Sequence, residues 1–515
     1  MDYFATTEFD LQVEDLLKRW HVPGMAIAVV EDSKISSKAF GYGTLNPNTP
    51  CTTDSIFDIS SCSKSFTAAS VALLVEDQKN HPDLQWDTPV SKLLPEDFVM
   101  IQDEYTEGVT VEDILSHRSG LPSHDLSSLG ERSINQDTAT SVTRNLRNLA
   151  ITYPIRSKFH YCNLMYTVAT HLIEKRSGLP FSSYLQQRLF KPLGMKSTHL
   201  HRSAVKSAGL ASRLTLPYSW NKDTRIYRPV NSFEEPEAQG ASAIYTTAND
   251  MILYICAMLK KSSPLTSVVV SELTKPRILL DDDAEDLDLF TSSNTYALGW
   301  KITFYRNHRI ISHEGVVTGY SCVAFLIPEL NFGCCALGNT SDAGSVGETL
   351  IRTLIDNQLH VPSNECIDWN ERAQNLRAEY KGDSKEDYEE VKNDLLDDGG
   401  LNSEPQTLPL ETYTGKYHNA GYHEMQVQIK NGQLFIDAND RSMRFTLTFE
   451  HIREQRIFIA NLIESEDDEE QMYFKAEFAL EDIDQGDGSP LQAARMGLQL
   501  EPELEQLIWF DRVKD

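Results

Sequence analysis

The chain lacks most of the features that mark secreted, membrane-spanning and metal-binding proteins. Its 8 cysteines are spread over 515 residues without a CxxC pair, so the sequence predicts neither a disulfide framework nor a Cys/His zinc site. No apolar run approaches the ~18 residues that cross a bilayer, and Met1–Ala5 has no signal-peptide character. Glycine and proline, at 26 and 21 residues, are too few for a collagen-like chain. We therefore expect a folded cytoplasmic protein, and no motif predicts a cofactor or a metal.

Basic residues are also scarce, since 47 lysines and arginines stand against 76 aspartates and glutamates, for a net charge of −29. A surface of that sign repels phosphate backbones and anionic lipids, so we expect neither nucleic acid nor a membrane as a partner. The acidic residues are concentrated in the last part of the chain. Residues 366–515 hold 34 acids and 15 bases, a net of −19, which leaves −10 for residues 1–365. This asymmetry indicates two parts of different structure.

The length and the patterning predict two domains and a linker. Residues 1–365 mix helical and strand periods, whereas residues 409–515 alternate with a period of two around the hairpin signal Asn431-Gly432. About seven short strands there predict a small antiparallel barrel. Between them, residues 366–408 contain an acidic stretch at 383–398 that predicts a solvated helical linker. The tract Glu464–Glu470 is predicted to be an exposed loop.

The first domain is predicted to be an α/β fold. Apolar runs near both of its ends predict strands, and longer apolar segments between them predict helices. The order predicts a sheet closed by its own termini, with a helical insert. The strands are expected at Met25–Val30, Ile35–Phe40, Trp300–Phe304, Arg309–Ser312 and Ser321–Ile327, and the main helices at Ser63–Glu76 and Met165–Lys175.

The most informative motif is the tetrapeptide Ser61-Cys62-Ser63-Lys64. It opens the predicted helix Ser63–Glu76, so Ser61 is expected near the positive end of the helix dipole. Lys64 lies three residues on, on the same face, and burial beside that dipole favours a neutral amine that can take the hydroxyl proton. A second SxxK at Ser203–Lys206 precedes no comparable helix. Context therefore selects Ser61.

Two further patterns carry groups that can assist a nucleophile. Tyr161-Cys162-Asn163 begins another apolar helix, and a tyrosine hydroxyl near an ammonium can shuttle a proton. His313-Glu314-Gly315 lies on the late strands, where Gly315 leaves room for a substrate and the N–H of Val316 can help bind an oxyanion. The YxN pattern recurs at Tyr305 and Tyr417, so the pattern alone does not select Tyr161.

In this order and context, the three patterns resemble the SxxK, YxN and K/H-x-G triplet of the serine β-lactamase and penicillin-binding-protein superfamily. Four more segments resemble motifs of its class C β-lactamase-related group of esterases and D-amino-acid peptidases. The resemblance covers about residues 10–355 and implies an antiparallel sheet flanked by helices. The late strands resemble, more weakly, a lipocalin-like barrel appended to some of these peptidases. The four segments are Leu115–Pro122, Pro192–Met195, Tyr245–Met251 and Tyr296–Trp300.

The resemblance also implies catalytic roles. Ser61 is expected to be the acylated nucleophile, Lys64 its proton partner and Tyr161 the general base and acid. Cys62, one residue along the helix, is turned about 100° away and is not the expected nucleophile. The backbone N–H of Ser61 is expected to form one half of an oxyanion hole.

Binding roles follow in the same way. Asn163 is expected to hold Lys64 or a substrate amide, His313 and Gly315 to line the strand edge, and the N–H of Val316 to complete the oxyanion hole. His313 stands where β-lactamases proper have lysine. A mostly neutral histidine beside Glu314 suits an ester, or a peptide with a free or neutral N-terminal end, better than an anionic β-lactam.

We therefore expect a serine hydrolase that forms a Ser61 acyl-enzyme on a small-molecule ester or an amide or peptide substrate. An acyltransferase or peptide-releasing cyclase that uses the same acyl-enzyme remains open. So does a non-catalytic oligomeric scaffold of the same fold, and the sequence leaves homo-oligomer formation undecided.

Overall fold

The structure is a computed structural model that describes residues 2–231, 234–280, 287, 289–380, 384–397, 403–464, 471–482 and 491–514. The strands described before residue 360 are β1 (Gly24–Glu31), β2 (Lys34–Leu45), β3 (Asn48–Pro50), β4 (Phe57–Asp58), β5 (His199–Leu200), β6 (Tyr218–Asn221), β7 (Ile226–Pro229), β8 (Ile244–Thr246), β9 (Ile278–Leu279), β10 (Thr295–Tyr296), β11 (Lys301–Tyr305), β12 (His308–Val317), β13 (Tyr320–Ile327) and β14 (Phe332–Gly338).

The α-helices of the same part contribute the flanking layers and the insert. They are α1 (Thr7–Arg19), α2 (Ser63–Glu76), α3 (Val90–Leu93), α4 (Asp103–Gly108), α5 (Val111–Leu115), α6 (Ala139–Asn145), α7 (Asn163–Ser177), α8 (Phe181–Leu185), α9 (Lys191–Leu193), α10 (Arg202–Ser207), α11 (Ala248–Lys260), α12 (Ser267–Leu273) and α13 (Ala343–Gln358). The bounds of α2 are those predicted from the sequence.

The main sheet has nine antiparallel strands in the order β3-β2-β1-β14-β13-β12-β11-β10-β9. Strand β1 pairs with β14 from Met25 opposite Gly338 to Glu31 opposite Phe332. Early and late strands of the domain therefore lie side by side, and the predicted α/β sheet closed by its own termini is confirmed.

Helices cover both faces of this sheet, because successive side chains of a strand point to opposite sides. On one side Ala26 and Ala28 of β1 belong to the core built with α2, α7 and α11. On the other, Ile27 and Val29 pack with α1 and α13. Strands β13 and β14 are buried along their whole length, so the centre of the sheet is a rigid base for the residues at its edge.

The late strands form a closed barrel in chain order, which confirms the predicted small all-β barrel. It closes where β15 pairs with β22, at Tyr417 opposite Arg512. Strand β15 was not predicted from the sequence, because only Tyr417 among its residues is buried. The barrel strands are β15 (Gly415–Asn419), β16 (His423–Lys430), β17 (Gln433–Ala438), β18 (Phe445–Arg453), β19 (Ile457–Ile463), β20 (Gln471–Asp482), β21 (Leu491–Leu498) and β22 (Ile508–Arg512).

Two helices lie between the sheet and the barrel, α14 (Trp369–Tyr380) and α15 (Ser384–Asp397). The sequence predicted a solvated acidic helix here, and most described side chains of α15 are exposed or half-buried, but one face of the helix is covered. Leu395 is buried against Ile452, Ile457 and Ile459 of the barrel. The helix therefore has an apolar face despite its acidic composition. The predicted loop Glu464–Glu470 lies, from residue 465 on, outside the described residues, and the domain boundaries at 365 and 408 stay a prediction.

The barrel contacts the first domain through backbone as well as side chains. The N–H of Gly130 donates to the Asp440 carbonyl at 2.9 Å, and the N–H of Ser442 donates to the Ser128 carbonyl at 2.9 Å. A Cβ on Gly130 would stand 2.8 Å from the Arg441 carbonyl oxygen, so this approach requires glycine. No helix in the described ranges is long and apolar enough to cross a membrane.

Candidate active site

Ser61 lies between β4 and α2, in the 3-10 turn Ser60–Cys62. Ser60 has a φ of +48°, a left-handed conformation that residues other than glycine rarely adopt. Its N–H donates a 2.7 Å hydrogen bond to the Asp58 carboxyl group, whose pKa burial raises to about 6. The turn presents Ser61 to a cleft at the edge of the sheet.

Two side chains converge on the Ser61 hydroxyl. The Nζ of Lys64, which is fully buried, lies 3.0 Å from Ser61 Oγ and donates to the Ala241 carbonyl at 3.0 Å. The Tyr161 hydroxyl donates to Ser61 Oγ at 2.8 Å. Lys64 is the second residue of α2, one turn after Ser61, and Tyr161 lies two residues before the start of α7. The packing of α2 on α7 thus brings together three of the residues singled out in the sequence.

Burial governs the protonation of both partners. It lowers the pKa of Lys64 to about 7, with the Asp125 carboxyl group opposing the shift. It raises the pKa of Tyr161 above the usual value of a phenol. Near pH 7 the Lys64 amine is therefore partly neutral, while Tyr161 keeps its proton. These directions favour Lys64 as the base for Ser61, a role that the resemblance assigns to Tyr161.

His117 and Asp125 also lie beside this group, and neither had a role predicted from the sequence. His117 stacks on Tyr161 with ring centroids 4.3 Å apart, and its Nδ1 accepts a 3.0 Å hydrogen bond from the Cys162 N–H. Burial lowers the pKa of His117 well below the usual value, so the ring is neutral. Asp125 accepts a 3.1 Å hydrogen bond from the Asn163 amide. The motif-like segment around His117 offered a signal for it, whereas no pattern marks Asp125.

Asn163 lines the cleft but does not hold Lys64. Its amide donates to both oxygens of Asp125, at 3.1 and 3.3 Å, and the second hydrogen bond of Lys64 goes to the Ala241 carbonyl. The expected contact between Asn163 and Lys64 is therefore wrong. The other expected role, binding of a substrate amide, stays a prediction.

His313 lies behind the strand edge, and the expectation that its side chain lines that edge is wrong. Its side chain is 2% exposed, with Nδ1 2.6 Å from the Glu314 carbonyl and Nε2 2.9 Å from the Tyr296 hydroxyl. A carbonyl can only accept, so Nδ1 carries the proton and Nε2 accepts from Tyr296. Burial lowers the pKa of His313 to about 3. The ring is thus neutral and internal.

Gly315 serves the packing of the site. A Cβ there would stand 2.2 Å from the Ile59 carbonyl oxygen, so glycine lets β12 lie directly against the turn that carries Ser61. This corrects the expectation that Gly315 leaves room for substrate. Val316 is 58% exposed and lines the cleft, and the oxyanion role of its N–H stays a prediction. The Cys62 thiol points to the His313 carbonyl oxygen, 3.3 Å away, inside the sheet.

The cleft in front of Ser61 has a volume of about 980 Å³. Burial and a neighbouring carboxyl group raise the pKa of Glu235, one of its lining residues, to about 8. Because carboxyl groups outnumber basic side chains on its walls, the cleft is poorly suited to an anion. Its ionisable lining residues are Asp125, Glu235, Glu237, Asp342, Asp387, Glu464, Lys222 and Arg377, and the barrel adds Ser442, Met443, Gln471 and Met472.

The competing motifs lie elsewhere. Ser203 is exposed on α10 and donates to Glu234 at 2.9 Å. Tyr305 donates to Asp356 and Tyr417 to the Tyr413 carbonyl. Among the residues that the structure describes, no group of three or more His, Cys, Asp or Glu side chains is placed to hold a metal ion.

The fold is an antiparallel sheet between helices. An SxxK serine stands at the start of a buried helix, and a tyrosine hydroxyl donates a hydrogen bond to it. Together these features define the serine β-lactamase and transpeptidase-like class of hydrolases. The sequence model described as Beta-lactamase matches residues 9–355. The chain belongs to the β-lactamase family and is a hydrolytic enzyme. A second model, a domain of unknown function (DUF3471), matches residues 402–512.

Known proteins similar to this chain differ in how much of it they cover. Unguisins hydrolase ungD' of Aspergillus campestris is 31% identical over 99% of this chain and 92% of its own length. The octameric penicillin-binding protein homologue from Pyrococcus abyssi matches with a TM-score of 0.59 and 19% identity, over 98% of this chain and 99% of its own. D-amino acid amidase from Ochrobactrum anthropi SV3 matches with a TM-score of 0.54 and 20% identity, over 69% of this chain and 98% of its own. At these identities the two solved structures show the fold.

Proposed function

We propose that this enzyme hydrolyses an amide or ester bond through an acyl-enzyme on Ser61. The observation that carries the proposal is the meeting of a buried amine and a phenol at one hydroxyl, with Lys64 Nζ at 3.0 Å and Tyr161 Oη at 2.8 Å from Ser61 Oγ. A serine needs a neighbouring base to become a nucleophile. Burial supplies one by keeping part of the Lys64 population neutral at pH 7.

In the acylation step the neutral Lys64 amine takes the Ser61 proton while Oγ attacks the substrate carbonyl carbon. The N–H groups of Ser61 and Val316 are the proposed donors to the oxyanion. The new ammonium returns a proton through the Tyr161 hydroxyl to the leaving amine or alcohol, and the acyl-enzyme forms. A raised pKa suits Tyr161 to this relay, because a phenol that keeps its proton can pass it on in the same movement in which it receives another.

Deacylation repeats these proton transfers with water as the nucleophile in place of Ser61. Lys64 takes a proton from the attacking water, directly or through Tyr161, and the tetrahedral intermediate collapses to release the acid. The proton then returns to Ser61 Oγ. The site ends in the state in which it began, so no cofactor is consumed.

We infer a neutral or amine-bearing amide or peptide as the substrate class. Three features support this: the acidic cleft, the neutral His313 where β-lactamases proper have a lysine, and the end-to-end similarity to an unguisins hydrolase. An ester is the simpler test compound of the same class, because both bonds break through the same acyl-enzyme.

The test is the intact mass of the full chain after treatment with a fluorophosphonate, followed by peptide mapping. We expect one adduct on Ser61 in the wild type and none in Ser61→Ala. Ser203→Ala is the matched control for the exposed SxxK and should label like the wild type. Labelling that survives Ser61→Ala, or that maps to Ser203, would overturn the proposal.

We also propose a cytoplasmic location and self-association. All 8 cysteines are free thiols and 7 of them are buried, which suits a reducing compartment. The Pyrococcus abyssi homologue is octameric by its description. Fractionation of cells that express the protein tests the first point, and sedimentation velocity of the purified chain tests the second.

A further inference from the structure

A buried glutamate of the barrel contacts a loop of the first domain that leads to the active site. Glu501, between β21 and β22, is 3% exposed. Its Oε2 accepts two hydrogen bonds from the first domain, from Ser123 Oγ at 2.8 Å and from the backbone N–H of His124 at 2.8 Å. Glu501 is therefore a firm anchor for residues 123–124.

A second barrel residue holds the same loop. The Tyr422 hydroxyl lies 2.7 Å from Nδ1 of His124, and Nε2 of that ring lies 2.8 Å from the Ala150 carbonyl. The carbonyl must accept, so Nε2 carries the proton and Tyr422 donates to Nδ1. His124 is 1% exposed and has a φ of +47°. A non-glycine residue keeps that conformation only where its surroundings enforce it.

The next residue, Asp125, connects this loop to the reaction. It accepts from the Asn163 amide at 3.1 Å and lines the cleft with Ser61. Its charge also raises the pKa of Lys64 against the effect of burial. The chain of contacts thus runs from Glu501 through residues 123–124 to Asp125, and from there to Asn163 and Lys64.

We propose that Glu501 is a positioning residue for the Ser61 reaction: with Tyr422, it fixes residues 123–125 so that Asp125 stays at Asn163 and close to Lys64. This inference rests on the proposed function. It gives the barrel a role in the chemistry besides its contribution to the walls of the cleft.

Lys64 provides a readout that a merely structural contact would not move. If Asp125 is displaced, Lys64 loses a negative neighbour and its pKa falls further. The acid limb of the pH profile, where Lys64 becomes protonated, then moves to lower pH. The other groups that act on Lys64 belong to the first domain, and the variants leave them in place. They are Glu235, the thiols of Cys62 and Cys162, the rings of Tyr161 and Tyr166, and the neutral imidazoles of His117 and His313.

The experiment measures the rate of Ser61 labelling by a fluorophosphonate, and kcat and KM for a p-nitrophenyl ester, from about pH 5 to pH 9 in the full chain. Glu501→Ala should lower the labelling rate and kcat by about 10- to 100-fold, the size expected for a small misplacement of reacting groups, with KM little changed. Its acid limb should move to lower pH, as should that of Asp125→Asn. Glu501→Gln keeps an oxygen acceptor for the two donors and should recover most of the rate.

Glu505→Ala is the matched control, because this glutamate is exposed in the same turn of the barrel. It should match the wild type. If Glu501→Ala does not fold, Tyr422→Phe decides, since it removes only the hydroxyl that contacts His124 and should shift the acid limb in the same direction. A rate loss without movement of the acid limb, or no change in a folded Glu501→Ala, would refute the positioning role. An unlabelled wild type would instead refute the proposed function.

Discussion

Lys64 offers the sharpest test of the chemistry, because its environment changes its pKa so strongly. The side chain is fully buried, and burial lowers its pKa from 10.5 to about 7. At pH 7 about half of the molecules then hold a neutral amine, against roughly 0.03% for a lysine with the unshifted pKa. Burial therefore increases the available base by about a thousandfold.

Replacement of Lys64 by arginine keeps a donor for the Ala241 carbonyl but removes the base, since a guanidinium does not lose its proton. We expect kcat/KM to fall by about a thousandfold or more. In the wild type, log(kcat/KM) should rise with pH up to about 7, falling roughly tenfold per unit below pH 6. Lys206→Arg, in the exposed SxxK, is the control and should show the wild-type profile.

The same pKa makes a prediction about stability. The unfolded chain binds a proton at Lys64 up to pH 10.5, and the folded chain only up to about pH 7. The wild type should therefore gain stability as the pH rises from 7 to 10.5. At pH 7 the shift corresponds to a cost of about 4 kcal/mol. Lys64→Met fills the same space without a charge, so we expect it to be more stable by about 2–4 kcal/mol and inactive.

Urea unfolding at pH 7 and pH 9, followed by circular dichroism, measures this difference in the transition of the first domain. The advantage of Lys64→Met should shrink at pH 9. Two results would refute the reasoning: a Lys64→Arg enzyme that retains more than about a tenth of the wild-type rate, or a Lys64→Met protein that is less stable at pH 7.

Three further substitutions test other parts of the site. Gly315→Ala places a Cβ 2.2 Å from the Ile59 carbonyl oxygen and should cost about 1–3 kcal/mol together with most of the activity; an unchanged melting temperature and rate would contradict the packing role. His313→Lys puts a cation where burial lowers the pKa of histidine to about 3. We therefore expect a clear loss of stability in thermal unfolding and no increase in kcat/KM for carboxylate-bearing esters. An increase in a stable variant would place this side chain at the substrate and contradict its internal position. Cys62→Ala should keep the Ser61 labelling rate within about threefold, because the thiol faces the His313 carbonyl; loss of labelling in the folded variant would contradict this.

Local patterns predicted the parts of the fold that depend on local sequence. The bounds of α2 follow from a largely apolar segment that is buried on all sides, and the closure of the sheet follows from apolar strands at both ends. Where burial depends on distant partners, the patterns failed. Strand β15 has one buried side chain, and the apolar stripe of α15 is visible only once the barrel surface that it covers is known.

The residues of the active site also differ in how far the sequence could predict them. Ser61 and Lys64 are three residues apart, and the spacing alone puts them on one face of a helix. Tyr161 joins them through the packing of α2 on α7, and a family motif was needed to select it. Asp125 and Glu501 are beyond either kind of signal, because 376 residues separate them and only the docking of the barrel brings them to one loop. The prediction that the His313 side chain lines the strand edge was wrong for a related reason. A strand pattern does not show which side chains a neighbouring aromatic ring covers.

The pKa shifts around Ser61 all favour the neutral form of the side chain, and this affects which substrates the site favours. Burial acts against charge on every group next to the hydroxyl: it lowers the pKa of Lys64, His117 and His313 and raises that of Tyr161. The reacting centre is therefore close to neutral, and the Asp125 carboxyl group, whose pKa burial raises only to about 6, stands at its margin with the acidic side chains of the outer cleft wall. An anionic substrate would meet no permanent cation beside Ser61 and would add a negative charge to an acidic wall. A neutral carbonyl compound meets no such penalty, and an amine on its far side gains from the carboxylates. The electrostatics of the cleft and the chemistry of the base thus favour the same class of substrate.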